Sequence, residues 1–160
     1  MRDFFSGLWS AAAALVGAAV FIGLMIWVAR SHSAMWRRLA AHYAGPRRDG
    51  AIATKLEVFV IAERGAARLF AFRQYAGLRL ALHPDGISAW LIPIPPLNLG
   101  CRPLFLPFAD TAVAETDWML WSAPAALRMR RAPDLDIIIG RDTLGWIRAH
   151  IDAPPFGLAT

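Results

Sequence analysis

The chain has 160 residues, of which 57% are hydrophobic, and it carries a net charge of +5 with a pI near 10.6. Its one cysteine, Cys101, excludes an internal disulfide framework and a cysteine-based metal site. The basic charge suits a partner that carries phosphate, either nucleic acid or anionic lipid. Nucleic acid is disfavoured because the arginines are not interleaved with a platform of stacking aromatic residues.

An uncharged apolar stretch at 8–29 dominates the N-terminal part of the chain. As a helix with a rise of ~1.5 Å per residue it measures ~33 Å, enough for a hydrocarbon core of ~30 Å. It is longer than the ~7–15-residue apolar core of a signal peptide, and the best cleavage signal after it, at 31–33, is poor. We therefore expect a short tail at 1–7 and an uncleaved transmembrane helix at 8–29.

Aromatic and basic residues mark the ends of this predicted helix. Trp9 and Trp27 are ~27 Å apart along a helix axis, and tryptophan favours the membrane interface. Arginine is frequent after the helix, at 30, 37, 38, 47 and 48, and no acid occurs there before Asp49. The positive-inside rule predicts that the N-terminus lies outside and the main domain in the cytoplasm. The residues expected at the membrane interface are Trp9, Trp27, Arg30, Trp36, Arg37 and Arg38.

Small residues recur along the same helix. Ser10, Ala14 and Ala18 are spaced by four, and Ala19 and Gly23 form a second pair with this spacing. Such faces allow helices to approach closely in lipid. They predict a membrane-protein partner; the alternative is an alanine-rich anchor that contacts only the lipid bilayer.

A juxtamembrane helix and linker are expected at 30–50. The segment 33–43 has apolar residues at helical spacing, Ser33 as a candidate N-cap, and Gly45-Pro46 at its end. Two interpretations are open. The helix lies on the inner leaflet with its arginines near anionic head groups, or it packs on the following domain with Arg37 and Arg38 in solvent.

The region 51–151 predicts a β-rich domain. Alternating patterns and turn residues indicate six to eight short antiparallel strands, expected at 56–62, 68–75, 78–82, 87–92, 104–108, 110–116, 125–131 and 135–139. Asp85-Gly86 is the strongest hairpin signal, and Pro133-Asp134 is expected at a second turn. Apolar residues at 144, 147 and 151 predict a C-terminal helix that begins at Gly140 or Asp142, with a tail at 152–160.

A proline-rich apolar loop interrupts this pattern at 93–103. Its four prolines each lack a backbone donor, so regular structure is excluded. If the region is exposed, Leu97, Leu99 and Phe105 are candidates for a partner surface. If it is buried, it is a core loop.

Three segments carry a resemblance: MWRRLAAHY at 35–43, YAGLRLALHPDGISAWLIP at 75–93, and RPLFLPF at 102–108, which Asp110 follows. They resemble uncharacterised bacterial single-pass membrane proteins, whose strand order with a C-terminal helix is similar to pleckstrin-homology-like domains, and we expect this chain in a bacterial inner membrane. The resemblance spans 35–151 and departs at Phe108, where the pattern has Trp. It implies an antiparallel sheet or partly open barrel closed by a C-terminal helix, and it implies no activity or ligand.

Catalytic and metal-binding patterns are not found in the sequence. The four histidines are scattered, and the chain has no phosphate-binding loop or acid–base pair. We therefore expect no cofactor and no enzymatic activity. Cys101 beside Arg102 is either an ordinary loop cysteine or a thiol whose pKa the cation lowers.

These observations favour a membrane-anchored, non-enzymatic interaction module, such as an accessory or assembly subunit of a membrane-protein complex. A second hypothesis is a sensor of anionic lipid head groups. Its basic residues would come from the juxtamembrane segment and the first hairpin, at Arg37, Arg38, Arg47, Arg48, Lys55, Arg64, Arg68 and Arg73. A third, weaker hypothesis is an enzyme with an unrecognised site.

Overall fold

A computed structural model of the chain describes residues 2–64, 72–92, 101–116 and 124–151, with side chains from residue 13 onward except those of 72–74 and 76. The helices are α1 (Arg2–Tyr43) and α2 (Arg141–His150). The strands are β1 (Ala53–Glu63), β2 (Phe72–His83), β3 (Gly86–Leu91), β4 (Leu104–Pro107), β5 (Thr111–Glu115), β6 (Ala125–Met129) and β7 (Ala132–Ile139). A short 3-10 helix, Phe108–Asp110, lies between β4 and β5.

Helix α1 is continuous over 42 residues. A separate juxtamembrane helix was expected from Ser33, but Ser33 lies within α1, where its hydroxyl donates to the Ala29 carbonyl at 2.8 Å instead of capping a new helix. Since no glycine or proline occurs at 24–44, the sequence has no strong helix breaker there. By length and composition, α1 is able to cross a membrane in its apolar part.

The strands form one open antiparallel sheet in the order β4-β3-β2-β1-β7-β6-β5. The expectation of six to eight antiparallel strands with a C-terminal helix is therefore confirmed. The edge strands β4 and β5 follow one another in the chain, and the 3-10 helix between them contacts both β3 and β5. The hairpin predicted at Asp85-Gly86 joins β2 to β3.

Strand β2 corrects one expectation, because the strands predicted at 68–75 and 78–82 are parts of one strand in the described region. The β1–β2 register shifts so that Ala76 and Gly77 lie opposite the single residue Val58. Gly77 has a φ of 69°, a conformation that glycine adopts without strain. A bulge, not a turn, therefore lies between the two apolar patterns.

The hairpin between β6 and β7 turns at Arg130-Arg131, whereas Pro133-Asp134 was expected. Both of those residues belong to β7. The Arg131 backbone N–H donates to the Tyr43 hydroxyl at 3.0 Å, and the Arg131 guanidinium lies 4.4 Å from the centre of the Tyr43 ring. The end of α1 thus anchors the turn three residues earlier than the local pattern indicates.

The core lies between α1, the sheet and α2. The domain end of α1 contributes the buried side chains Met35, Trp36, Leu39 and Tyr43, and α2 contributes Leu144 and Ile147. Of the two interpretations of 33–43, packing on the domain is the observed one. Trp36, expected at the membrane interface, is instead fully buried in this core.

Candidate functional site: the end of the domain that holds α1

The apolar half of α1 presents an open surface. Residues 13–24 are all exposed, with Leu15 72% exposed, and Trp27 is 65% exposed. A Cβ placed on Gly17 or Gly23 would meet no neighbouring atom of the described residues within 4 Å. Of the predicted small-residue faces, Ala14, Ala18, Ala19 and Gly23 lie on this surface, whereas the side chains of Trp9 and Ser10 lie outside the described part of the chain.

A buried tyrosine joins the sheet to α1 just below this apolar half. The Tyr75 hydroxyl donates to the His32 carbonyl at 2.7 Å and accepts from the Trp36 N–H at 3.0 Å. His32 and Trp36 are four residues apart, so an α-helix ordinarily joins these two backbone groups directly. A side chain of β2 therefore bridges the helical ladder where α1 leaves the domain.

Trp36 makes a second contact between α1 and the rest of the domain. Its indole Nε1 donates to the Arg102 carbonyl at 2.9 Å, which fixes the segment before β4 against the helix. The Trp36 and Tyr75 ring centres are 5.5 Å apart, and both side chains are fully buried. The direction in which α1 leaves the domain is thus set by core contacts.

Several arginines of the proposed lipid sensor bind their own domain. Arg38 bridges Glu63 and Asp134. Arg48 pairs with Asp85 at 2.8 Å, and its guanidinium lies 3.5 Å from the centre of the Phe105 ring. The hydrogen bond from Arg48 lowers the pKa of the Asp85 carboxyl. These two arginines stabilise the link between α1, the linker and the sheet.

Two basic residues of the first hairpin, Lys55 and Arg64, form ion pairs with carboxylates. Lys55 lies 2.8 Å from the Glu57 carboxylate, and Arg64 lies 2.8 Å from Asp136. Arg68 lies outside the described residues, as does the side chain of Arg73. Lys55 and Arg64 are therefore each engaged with a carboxylate of the domain.

A different pair of arginines lines a groove of about 240 Å³ beside α1. The lining residues are Arg37, Ala40, Ala41 and Arg102. Arg37 donates from Nη2 to the Arg30 carbonyl at 2.9 Å. Within the described ranges, no carboxylate lies within ion-pair distance of the guanidinium groups of Arg30, Arg37 or Arg102.

Cys101 is half-buried at the same end of the domain. Burial raises the pKa of its thiol, and the positive charge of Arg37 only partly offsets that effect. The thiol is therefore less acidic than a free cysteine. Among the residues the structure describes, no three His, Cys, Asp or Glu side chains cluster as metal ligands.

The proline-rich loop is described only at its ends. Leu91 is buried and Ile92 is 39% exposed, whereas Leu97 and Leu99 lie outside the described residues. Phe105 is half-buried between the Arg48 guanidinium and the His83 ring. The Phe105 side chain is thus engaged within its own domain.

A larger groove of about 760 Å³ lies between α2 and the adjoining ends of β5 and β6. Its charged lining residues are Glu115, Arg141 and Arg148. Among the described residues that line it, there is one carboxylate and no histidine or cysteine.

The residues that sequence reasoning missed are Tyr75 and Arg102. Alternation placed Tyr75 on a strand, but no local signal indicated that its hydroxyl reaches a helix 39 to 43 residues away.

No protein-family model matches the chain, and a search of curated proteins finds no match. The role of the chain is therefore inferred from its own residues.

Proposed function

We propose that this chain is a single-pass, membrane-anchored, non-enzymatic interaction module that binds another membrane protein as an accessory or assembly subunit. The observation that carries the proposal is the division of α1. Its half at 13–24 exposes apolar side chains all round, while its other half is built into the domain core. An apolar helix with this exposure requires lipid or a partner helix around it.

Retention of the helix in the mature protein is supported by the position of the poor cleavage signal at 31–33. Ser33 is buried in the middle of α1. Cleavage there would also divide the chain between the His32 carbonyl and the Trp36 N–H that Tyr75 bridges. The helix is therefore an anchor in this proposal.

The domain has a pleckstrin-homology-like fold in this proposal, and it faces the cytoplasm. The antiparallel order of seven strands followed by a helix supports the fold, and the arginines after the apolar segment support the orientation. The fold by itself assigns no ligand. A reporter fused after Thr160 should be active in the cytoplasm, and activity confined to the outside would contradict this orientation.

The small-residue face of α1 is the proposed contact for the partner helix. The double variant Ala14→Leu/Ala18→Leu fills this face, whereas Val16→Leu/Val20→Leu adds the same side chain on the opposite face of the helix. With a photo-crosslinker placed in the helix in native membranes, we expect a discrete heterologous adduct that the first pair abolishes and the second pair retains.

Three results of this experiment would contradict the proposal. They are the absence of any protein adduct, an equal loss in both double variants, and an adduct of twice the mass of the chain. The last result would indicate self-association in place of a different membrane protein.

A further inference from the structure

We propose that Arg30, Arg37 and Arg102 form a binding site for the phosphate of an anionic phospholipid head group, beside α1 where the helix leaves the bilayer. This site differs from a lipid surface built on Arg38, Arg48 and Lys55, because those three residues already have carboxylate partners. The proposal rests on geometry, charge and the surface of the helix above the arginines.

The groove of about 240 Å³ brings Arg37 and Arg102 together from two parts of the chain. Ala40 and Ala41 line the same groove, and their small side chains leave it open. The bond from Trp36 Nε1 to the Arg102 carbonyl fixes the Arg102 backbone against the helix at 2.9 Å. Two arginines held on one groove suit the planar, bidentate contacts that arginine makes with phosphate.

The position of Arg37 matches the level of lipid head groups. Side chains on an α-helix lean toward its N-terminus, which is the membrane side of α1. Arg37 Nη2 accordingly reaches back to the carbonyl of Arg30, seven residues earlier. Arg30 is the first charged residue after the apolar segment, and the head-group layer extends roughly 5–8 Å beyond the hydrocarbon core.

The charge of these residues is available to a ligand. Five other arginines of the described domain each have a carboxylate partner; they are Arg38, Arg48, Arg64, Arg128 and Arg131. Arg30, Arg37 and Arg102 have none within the described ranges, although Arg37 donates to a backbone carbonyl. An anionic lipid supplies the negative charge that the chain itself does not place there.

The helix surface above the arginines distinguishes a lipid from free phosphate. Gly23, Arg30 and Arg37 recur every seven residues and so lie on one stripe of α1. A Cβ at Gly23 would meet no described atom within 4 Å. An acyl chain of the lipid can therefore lie against α1 at Gly23 while the phosphate of the same lipid contacts Arg30 and Arg37.

Native mass spectrometry of the detergent-solubilised full chain tests the proposal. The probes are phosphatidylglycerol, phosphatidylcholine and inorganic phosphate, each added separately and in competition. We expect the wild-type chain to retain phosphatidylglycerol over phosphatidylcholine by roughly tenfold. Arg37→Gln/Arg102→Gln should reduce this ratio to about one, because both guanidinium groups of the groove are removed.

The matched control is Arg141→Gln/Arg148→Gln, which makes the same change of charge on α2 and should retain the wild-type ratio. Arg37→Lys/Arg102→Lys keeps the charge and should retain part of the preference, which separates loss of the site from loss of the fold. Equal retention of both lipids by the wild type, or an equal loss in the control, would overturn the proposal. If millimolar inorganic phosphate displaces phosphatidylglycerol, the site binds free phosphate and the proposal that it binds a lipid is wrong.

Discussion

Tyr75 is the residue that connects the sheet to the emerging helix. Its hydroxyl donates to one backbone carbonyl of α1 and accepts from the buried N–H of Trp36. Buried backbone groups without partners destabilise a fold by about 1–3 kcal/mol. The position of α1 on the domain therefore depends on one hydroxyl in addition to apolar packing.

Replacing Tyr75 with Phe removes only this hydroxyl and keeps the ring between His32 and Trp36. We expect the free energy of unfolding of the domain to fall by about 1–3 kcal/mol, because the buried Trp36 N–H loses its hydrogen bond to the Tyr75 hydroxyl. Urea denaturation of the full chain in detergent micelles, followed by tryptophan fluorescence, measures the change. An unchanged midpoint would show that the bridge contributes nothing to stability.

Glu57 is the acid with the most contacts at the α2 end of the sheet. Its side chain is 19% exposed, lies 2.8 Å from Lys55 Nζ, and accepts hydrogen bonds from the Thr143 hydroxyl and the Val58 N–H. Burial raises the pKa of Glu57, but the bonds from Lys55 and Thr143 outweigh it and hold the pKa below the ordinary value of 4.5. The carboxylate is thus the stabilising form.

Because the folded-state pKa of Glu57 is lowered, its contribution to stability is fully present above pH 4.5 and is lost as the pH falls through the folded value. We expect Glu57→Gln to flatten the decline of the unfolding midpoint below pH 4.5. Asp85→Asn is the control at an exposed ion pair and should flatten it less. An identical decline in Glu57→Gln and the wild type would contradict the assignment.

At the scale of elements, the contact between β3 and β4 depends on Gly86. A Cβ at this position would lie 2.5 Å from the Leu106 carbonyl oxygen and 3.0 Å from the Pro107 Cα, and both of these atoms belong to the backbone of β4. The two strands can approach this closely only because Gly86 has no side chain.

Gly86→Ala should therefore separate β4 from β3 and destabilise the domain by about 1–3 kcal/mol. Gly140→Ala is the matched control, since Gly140 has a φ of −69° and no atom within 4 Å of a Cβ. Thermal unfolding of both variants measures the difference. A Gly86→Ala midpoint equal to that of Gly140→Ala would contradict the close approach.

The elements that local patterns determine were predictable from the sequence. The Asp85-Gly86 hairpin, the antiparallel strands and the C-terminal helix after Gly140 depend on alternation, turn residues and helical spacing. The continuity of α1 was not predicted, because serine is a common N-cap residue and Ser33 was expected to begin a new helix. In the structure its hydroxyl donates to the Ala29 carbonyl within α1. The turn at Arg130-Arg131 depends on Tyr43, 88 residues away.

The same limit applies to the candidate site. The sequence indicated Arg30 and Arg37 as membrane-proximal, since both follow the apolar stretch. It did not indicate Arg102, which reaches the groove through a contact between residues 66 positions apart. It also assigned Arg38 to the membrane interface, although Glu63 and Asp134 bind it. Long-range pairings of this kind carry no local signal.

At the scale of the whole molecule, one helix serves two environments. The exposed apolar residues at 13–24 and the buried residues Trp36 and Leu39 belong to the same uninterrupted α1. Hydrogen bonds from Trp36 hold the helix to Tyr75 of β2 and to Arg102, which lies just before β4. We therefore expect the domain to hold one orientation relative to the helix.

Distance measurement between paired spin labels tests this central claim most directly. One label is placed at Val20→Cys and the other at Arg79→Cys on the exposed side of β2, in a Cys101→Ser background reconstituted in liposomes. We expect a single narrow distance distribution, which two glycines inserted after Arg30 should broaden. A broad or bimodal distribution without the insertion would show a hinge between helix and domain and would contradict the account.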